Sequence, residues 1–315
     1  MKKSAIILLT SFITALGLTA CDSSSEPESA APAASMPEQS TATSQAEPMP
    51  SMAAAPTTLA GILAAQPEKV IARYPYRNPE QTLNFFGIKP GMTVVEALPG
   101  GGWYSKLLIP YLGSDGELVG ANYPVGMYKL FGYDDERLAK MSTWATDWPT
   151  TAKGWVDGDA ANVSAFVIGE LAEDRKESAD AVLMIRALHN LARFEAEHGF
   201  LSQALSNTFD VLKPGGIVGV VQHAAPKGAD DAWANGSKGY LKQEFVIAQM
   251  QAAGFEYVGA SDINANPLDI PGADDVVWRL PPTLAGSKDD EVRATAMKAI
   301  GESNRMTLKF IKPAV

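Results

Sequence analysis

An acid followed by a run of glycines is the first arrangement in this chain that could do chemistry. Val94 to Tyr104 reads Val-Val-Glu-Ala-Leu-Pro-Gly-Gly-Gly-Trp-Tyr. An apolar strand that ends in Glu96 and passes into Gly100, Gly101 and Gly102 hands over to a helix in the way that lets a nucleotide-like cofactor approach the backbone. The three histidines are the other titratable candidates. His189 stands beside Arg186 and Asn190 after the apolar run Ala181–Ile185, and His223 follows Gln222 after Ile217–Val221. His198 lies in a Glu-rich stretch and reads as a solvated helix residue. A two-histidine metal site with Asp230 or Asp231 as a third ligand has no spacing signature, so no metal is expected.

These residues need elements to position them. Leu59, Ile62, Leu63 and Ile71 suggest a short leading helix. Asn78 as cap, Pro79 at the first position and the apolar Leu83, Phe85 and Phe86 predict a second, stopped by Gly87. The strand Thr93–Ala97 follows, then a helix carrying Tyr104, Leu107, Leu108, Tyr111 and Leu112 that ends at Gly113. Glu117–Ala121 reads as the second strand, Asp135–Trp144 as a helix, and Trp155 and Val156 as a short third strand. Ala181–Ile185 is the fourth strand, and a long helix from Phe200 to Leu212 precedes the fifth at Ile217–Val221. A helix carrying Leu241, Phe245, Ala248 and Ala252, a sixth strand at Phe255–Ala260 and a last one at Met306–Ile311 complete the alternation. Strands and helices in turn, with near-continuous Val/Ile/Leu strands, predict a doubly wound, Rossmann-like α/β fold on a seven-stranded, mostly parallel sheet. The long segment Asp262–Asn304 is an insertion before the last strand. Its Asn264, Asn266, Trp278 and Pro281 are candidates for a lid or substrate wall, unless the segment simply packs on the sheet.

At the amino end, Lys2 and Lys3 precede an apolar run from Ala5 to Leu18, which is the length of a secretory leader. Leu18-Thr19-Ala20-Cys21 resembles a bacterial lipobox, and Cys21 is the chain's one cysteine. Residues 1–20 are therefore read as a lipoprotein signal peptide, with lipidation at Cys21 and an exported, membrane-anchored protein on the periplasmic side. Asp22 favours the inner membrane. Residues 21–56 lack aromatics and hydrophobic period and read as a disordered tether, leaving 57–315 as the folded domain. With one cysteine no intrachain disulfide can form. Loss of the two leader lysines reduces the 26 basic residues to 24 against 36 acidic ones, a net charge of −12. Such a surface repels nucleic acid, so the expected partners are a small-molecule substrate and, through the lipid, a membrane. Nothing in the sequence sets the oligomeric state.

Glu96 to Gly102, Gly158-Asp159-Ala160 and Leu212 to Gly216 resemble the successive motifs of class I S-adenosylmethionine (SAM)-dependent methyltransferases. Pro99 to Tyr104, Arg186 to Asn190, Gly219 to His223, Ile263 to Pro267, Leu280 to Thr283 and Gly301-Glu302-Ser303 through Lys312 resemble, more narrowly, predicted methyltransferases found in exported bacterial proteins. The resemblance implies SAM as cofactor. It implies that Glu96 accepts from the cofactor's amino group, that Pro99 and Gly100 to Gly102 make room for its methionine moiety, that Asn122 faces the ribose, and that Asp159 accepts from the adenine amino group. Two positions depart from the pattern: Leu98 stands where glycine is usual, and Asn122 where an acid is usual, which puts about 1 kcal/mol of charge-assisted binding at stake.

Ligands of open α/β sheets bind outside the carboxyl ends of the strands, which brings His189 and His223 to one edge. Proton removal from a hydroxyl acceptor suits a histidine near its unperturbed pKa. His189 is preferred to His223 as that base, the alternative being histidines that only hydrogen-bond the strand edge. A methyltransferase-like receptor for a small ligand is the second functional reading. A nicotinamide enzyme fits less well, because Ser105 stands where the dinucleotide fingerprint has glycine or alanine.

Overall fold

The computed structural model describes residues 58–314. The leader, Cys21, Asp22 and the tether lie outside the described residues. No helix among those described is long and apolar enough to cross a membrane.

Four short helices open the domain: α1 (Leu59–Ala64), α2 (Glu68–Ile71), α3 (Tyr74–Arg77) and α4 (Pro79–Phe86). The leading helix expected to reach Ile71 is thus broken after Ala64, and Ile71 is exposed. Pro79 takes the first helical position as expected, but Asn78 does not cap. It adopts left-handed backbone, and its side-chain amide donates to the Ile263 carbonyl at 2.6 Å, tying α4 to the insertion. Leu83 and Phe86 are fully buried under the sheet, each worth about 1.5–3 kcal/mol.

From there strand and helix alternate. β1 (Thr93–Ala97), α5 (Ser105–Leu112) and β2 (Glu117–Asn122) fall where the sequence places them. α6 (Val125–Leu130), α7 (Asp135–Ser142) and α8 (Trp144–Lys153) cross to β3 (Asn162–Val167). The strand expected at Trp155 and Val156 is a correction. Those residues lie in the turn after α8, and the true third strand is a half-polar edge strand, whose Ser164 hydroxyl donates to Glu117 at 2.5 Å. Edge position explains its weak signal, since only strands covered on both faces read as continuous apolar runs. Then come β4 (Ala179–Ile185), α9 (Leu188–Arg193), α10 (Glu195–His198), α11 (Phe200–Val211) and β5 (Leu212–His223). β5 begins five residues before the expected Ile217, because Gly215 and Gly216 pair with Lys312 instead of ending the ladder. α12 (Gln243–Ala252), β6 (Glu256–Ser261), α13 (Glu291–Ile300) and β7 (Arg305–Ile311) close the chain.

The strands lie in the order β3-β2-β1-β4-β5-β7-β6. β7 alone runs against its neighbours, inserted as a hairpin partner between β5 and β6. Alternate residues of the central strands face opposite cores, as a period of two requires. Val95, Ala97, Val182, Met184, Val218 and Val220 face α9, α11 and α12. Val94, Ala181, Leu183 and Val221 share the other core with α1, α4 and α5. Glu96, between Val94 and Leu98, points to this second face and so toward α5. Because β7 is antiparallel, its first residue Arg305 pairs with His223 at the carboxyl end of β5. The insertion therefore emerges at that same edge.

Candidate functional site

The carboxyl ends of β1, β4 and β5 and the start of β7 converge on one edge. The register sets Glu96 beside Leu183, Ile185 beside Val221 and His223 beside Arg305. Arg186 is the next residue after β4, and its backbone N–H donates to the Val221 carbonyl at 2.6 Å.

At β1 the Glu96 carboxylate is buried and accepts from the Ser105 hydroxyl at 2.6 Å. Burial lifts its pKa from 4.5 to about 7, against the opposing pulls of the Ser105 hydrogen bond and the Arg186 charge. Leu98, at the position where the pattern has glycine, takes the left-handed backbone glycine would take, with φ 56°. Such a conformation costs a non-glycine residue about 1–2 kcal/mol, and residues so strained cluster at functional sites. Pro99 is buried, whereas Gly100 and Gly101 are exposed; no atom lies within 4 Å of a Cβ built on Gly101, and only the Leu98 carbonyl does at Gly100. The backbone there is open to a ligand. Gly102 differs. A Cβ on it would overlap the Trp155 ring, which Lys106 covers at 4.8 Å, so the close approach this glycine permits is used by the protein's own side chain.

The next two strand ends depart from the expected contacts. Asn122 is buried at the end of β2, and its Oδ1 accepts from the Tyr128 hydroxyl at 2.6 Å, which occupies one lone pair of that oxygen. Tyr123 donates to the Ala187 carbonyl at 2.6 Å, and Tyr128 and Phe131 pack around it. Asp159 is a correction. It is exposed and precedes β3, whose first residue pairs with the first residue of β2, so it stands at the amino edge of the sheet. The Gly158-Asp159-Ala160 motif resembles one that follows the third strand, whereas here it precedes β3, which reverses the edge it occupies. At the carboxyl edge the residues from Glu96 to Gly101 thus leave backbone open and Asn122 keeps its side-chain amide donors, whereas Asp159 stands at the opposite edge.

Gln222 and both histidines at this edge are buried, with ring centroids of His189 and His223 5.5 Å apart. The Gln222 amide N–H donates to the Gly239 carbonyl at 3.0 Å, which turns its Oε1 toward His189 Nδ1 at 3.4 Å. An acceptor facing Nδ1 assigns the proton to that nitrogen and leaves Nε2 with a free lone pair. His223 Nδ1 lies 2.6 Å from the Ser303 hydroxyl. Neither ring stays near its ordinary pKa. Burial lowers His189 from 6.5 to about 4, against the Gln222 hydrogen bond, and burial with neighbouring His189, Arg305 and Arg186 holds His223 well below its usual value. Both are neutral at pH 7. Asn190 lies beside the Tyr123 hydroxyl. His198 is exposed and stacked on Phe200, away from this edge.

The insertion packs against this edge. Trp278 packs against His189 with centroids 5.9 Å apart. Asn264 and Asn266 do not face a ligand: Asn264 donates to Thr82 and Thr307 at 3.0 Å each, and Asn266 to the Ile300 and Glu302 carbonyls. A buried Asp269–Arg279 pair at 2.7 Å, with Tyr240 bonded to both, anchors the segment.

Sequence reasoning missed the strongest charges of the site. Arg73, Arg77 and Arg305 all bond the buried Glu302, Arg73 through Nε at 2.7 Å, Arg77 through Nε at 3.3 Å and Arg305 through its terminal nitrogen. Burial alone would raise Glu302, but Arg305, Arg77 and Arg73 hold it below the usual carboxylate range. Arg77 also stacks over Trp103 at 4.5 Å. The partners are up to 229 residues apart, and only the repeated Arg in Arg73–Arg77 and the Glu302–Arg305 spacing hinted at them.

The strand order with its single antiparallel strand is the class I methyltransferase fold. No protein-family model and no curated protein sequence matches the chain. Solved structures resemble it. The [4+2]-cyclase SpnF is 16% identical, with 76% of this chain and 81% of that chain covered and a TM-score of 0.45. A SAM-dependent methyltransferase from Aquifex aeolicus is 14% identical over 81% and 98% of the two chains, with a TM-score of 0.41. The 1,6-didemethyltoxoflavin-N1-methyltransferase of Burkholderia thailandensis, with bound S-adenosylhomocysteine, is 14% identical over 84% and 94%, with a TM-score of 0.41.

Proposed function

We propose that the chain is a SAM-dependent methyltransferase of the cell envelope that acts on a small or envelope-associated acceptor. The observation that carries this reading is the first loop. Glu96 ends β1, Leu98 holds the backbone conformation of the missing glycine, and Gly100 and Gly101 leave their backbone open. Glu96 and the Pro99–Gly101 backbone would hold the cofactor's methionine end, with Asn122 toward its ribose. When bound, the cofactor supplies a methyl group on a positively charged sulfur, so the protein's work is positioning and proton removal.

His189 is the residue to take that proton. Gly239 fixes Gln222, Gln222 fixes the His189 tautomer, and Nε2 is left to accept. With a pKa of about 4 it accepts a proton that becomes acidic only as the new bond to carbon forms. His223, bonded to Ser303, is the less available ring. The apolar leader ending at Cys21 and the finer resemblance to methyltransferases of exported proteins support a lipid-anchored enzyme on the periplasmic side.

The second reading is a ligand-binding lipoprotein without turnover. It is favoured by Tyr128 on Asn122 and Trp155 over Gly102, which occupy places where a cofactor would be held. Incubating the full chain with methyl-labelled SAM and envelope extract separates the two. Label entering an extract molecule with the wild type, and not with a folded Glu96→Ala variant, supports the enzyme; binding of SAM without label transfer to any envelope fraction leaves the receptor.

A further inference from the structure

Three of the four arginines gathered at this edge share one carboxylate. Arg73, Arg77 and Arg305 share Glu302, while the Arg186 side chain makes no ion pair and no hydrogen bond among the described residues. It is nonetheless mostly enclosed, with a minor part of its surface reaching solvent. Its backbone is left-handed, with φ 60°, which sets the residue apart from the line of β4. It stands one residue past the Ile185–Val221 pair, level with Gln222 of β5, with His189 three residues on. The Glu96 carboxyl makes no ion pair with it and is bonded by Ser105 instead.

A partly enclosed guanidinium that no carboxylate bonds, and whose nitrogens are not among the buried unpartnered atoms, keeps its donors open to an anion. The guanidinium matches carboxylate and phosphate oxygens in a two-pronged geometry that no neutral ligand exploits as well. Burial first, and then the charges of Arg77 and Arg305, lower the Arg186 pKa to about 9 against the opposing pull of Glu302, so the surplus of positive charge is felt at this group. The buried Trp103 indole N–H, beside Arg77, is a further donor without an acceptor among the described residues.

We propose that Arg186 is the seat for an oxyanion, a carboxylate or phosphate group, on the molecule that accepts the methyl group. The proposal rests on the methyl-transfer reading for the word acceptor and on the unpartnered arginine for the anion. It names a substrate class: small acids or phosphate esters, held by their charge at β4 with the reacting atom toward His189.

The test uses the full chain with inorganic phosphate and with succinate as probes, against chloride at equal ionic strength. Thermal unfolding reports anion binding, and calorimetry with S-adenosylhomocysteine reports the cofactor seat. The expected result is a higher Tm with one or both anions in the wild type, and in Arg186→Gln an anion affinity weaker by about tenfold or more with cofactor affinity within about twofold. In chloride, Arg186→Gln unfolds no earlier than the wild type, since it loses an uncompensated charge. The larger of the two anion responses distinguishes phosphate from carboxylate. Arg186→Lys, which keeps the charge without the fork, retains a weaker response and serves if the glutamine variant does not fold. No anion response in the wild type, or an equal response in Arg186→Gln, overturns the proposal. So does loss of S-adenosylhomocysteine binding in Arg186→Gln with anion binding intact, which would give the arginine to the cofactor. An Arg186-dependent anion response in a protein that never binds S-adenosylhomocysteine keeps the anion seat and removes the methyl-transfer reading.

Discussion

Leu98 and Arg186 follow adjacent parallel strands, β1 and β4, and both hold left-handed backbone, with φ of 56° and 60°. Two non-glycine residues strained side by side at the carboxyl edge of a sheet are held there by what surrounds them. At Leu98 this has a measurable side. Leu98→Gly removes strain but also a partly buried side chain and some unfolded-state order, so urea unfolding should move by no more than about 1 kcal/mol. Leu98→Val, whose branched Cβ tolerates this backbone worst, should cost about 2 kcal/mol or more.

Glu96 gives the stability a pH dependence of definite sign. The native carboxyl keeps its proton to about pH 7, whereas the unfolded one releases it near 4.5. Between those values the native state binds more protons, so this residue's contribution to stability falls as pH rises and stays lowered above about 7. Glu96→Gln, which can still accept from Ser105, should exceed the wild type by about 3 kcal/mol at pH 8 and match it below about pH 4. Denaturant midpoints at several pH values check this.

The Trp155 ring over Gly102 predicts a coupled pair. Gly102→Ala should cost about 2–4 kcal/mol, from overlap with the ring and from φ 73°. In a Trp155→Ala background the same change should cost only about 1 kcal/mol, the backbone part. Equal costs in both backgrounds would mean that the ring is displaced in solution, which also bears on how a cofactor reaches the loop.

Glu302 is the one carboxylate among three arginines, and removing it leaves buried cations uncompensated. Glu302→Gln should destabilise by about 3–5 kcal/mol. Its folded pKa lies below the ordinary value, so its contribution is present above pH 4.5 and is lost as pH falls, the reverse of Glu96. Urea titrations of this variant at neutral and acid pH test both statements.

The strands covered on both faces were legible in the sequence because their residues have no polar face to obscure the run: β1 falls at Thr93–Ala97 as read, and β4 and β7 within two residues. The third strand was not, because an edge strand carrying Asn162 and Ser164 is outscored by the aromatic Trp155 that precedes it. That one error moved Asp159 to the wrong edge. At the site, residues next to strand ends were found by counting, whereas the Arg73–Arg77–Arg305–Glu302 cluster was not, since contacts across more than two hundred residues leave no local pattern. The pKa of His189 was also illegible, because burial sets it.

In the proposed function the open loop between Glu96 and Gly101 seats SAM. Calorimetric titration of the full chain with S-adenosylhomocysteine tests it most directly. One saturable site is expected, weakened in Glu96→Ala while the variant stays folded; absence of heat with both S-adenosylhomocysteine and SAM, in a protein shown to be folded, would rule the seat out.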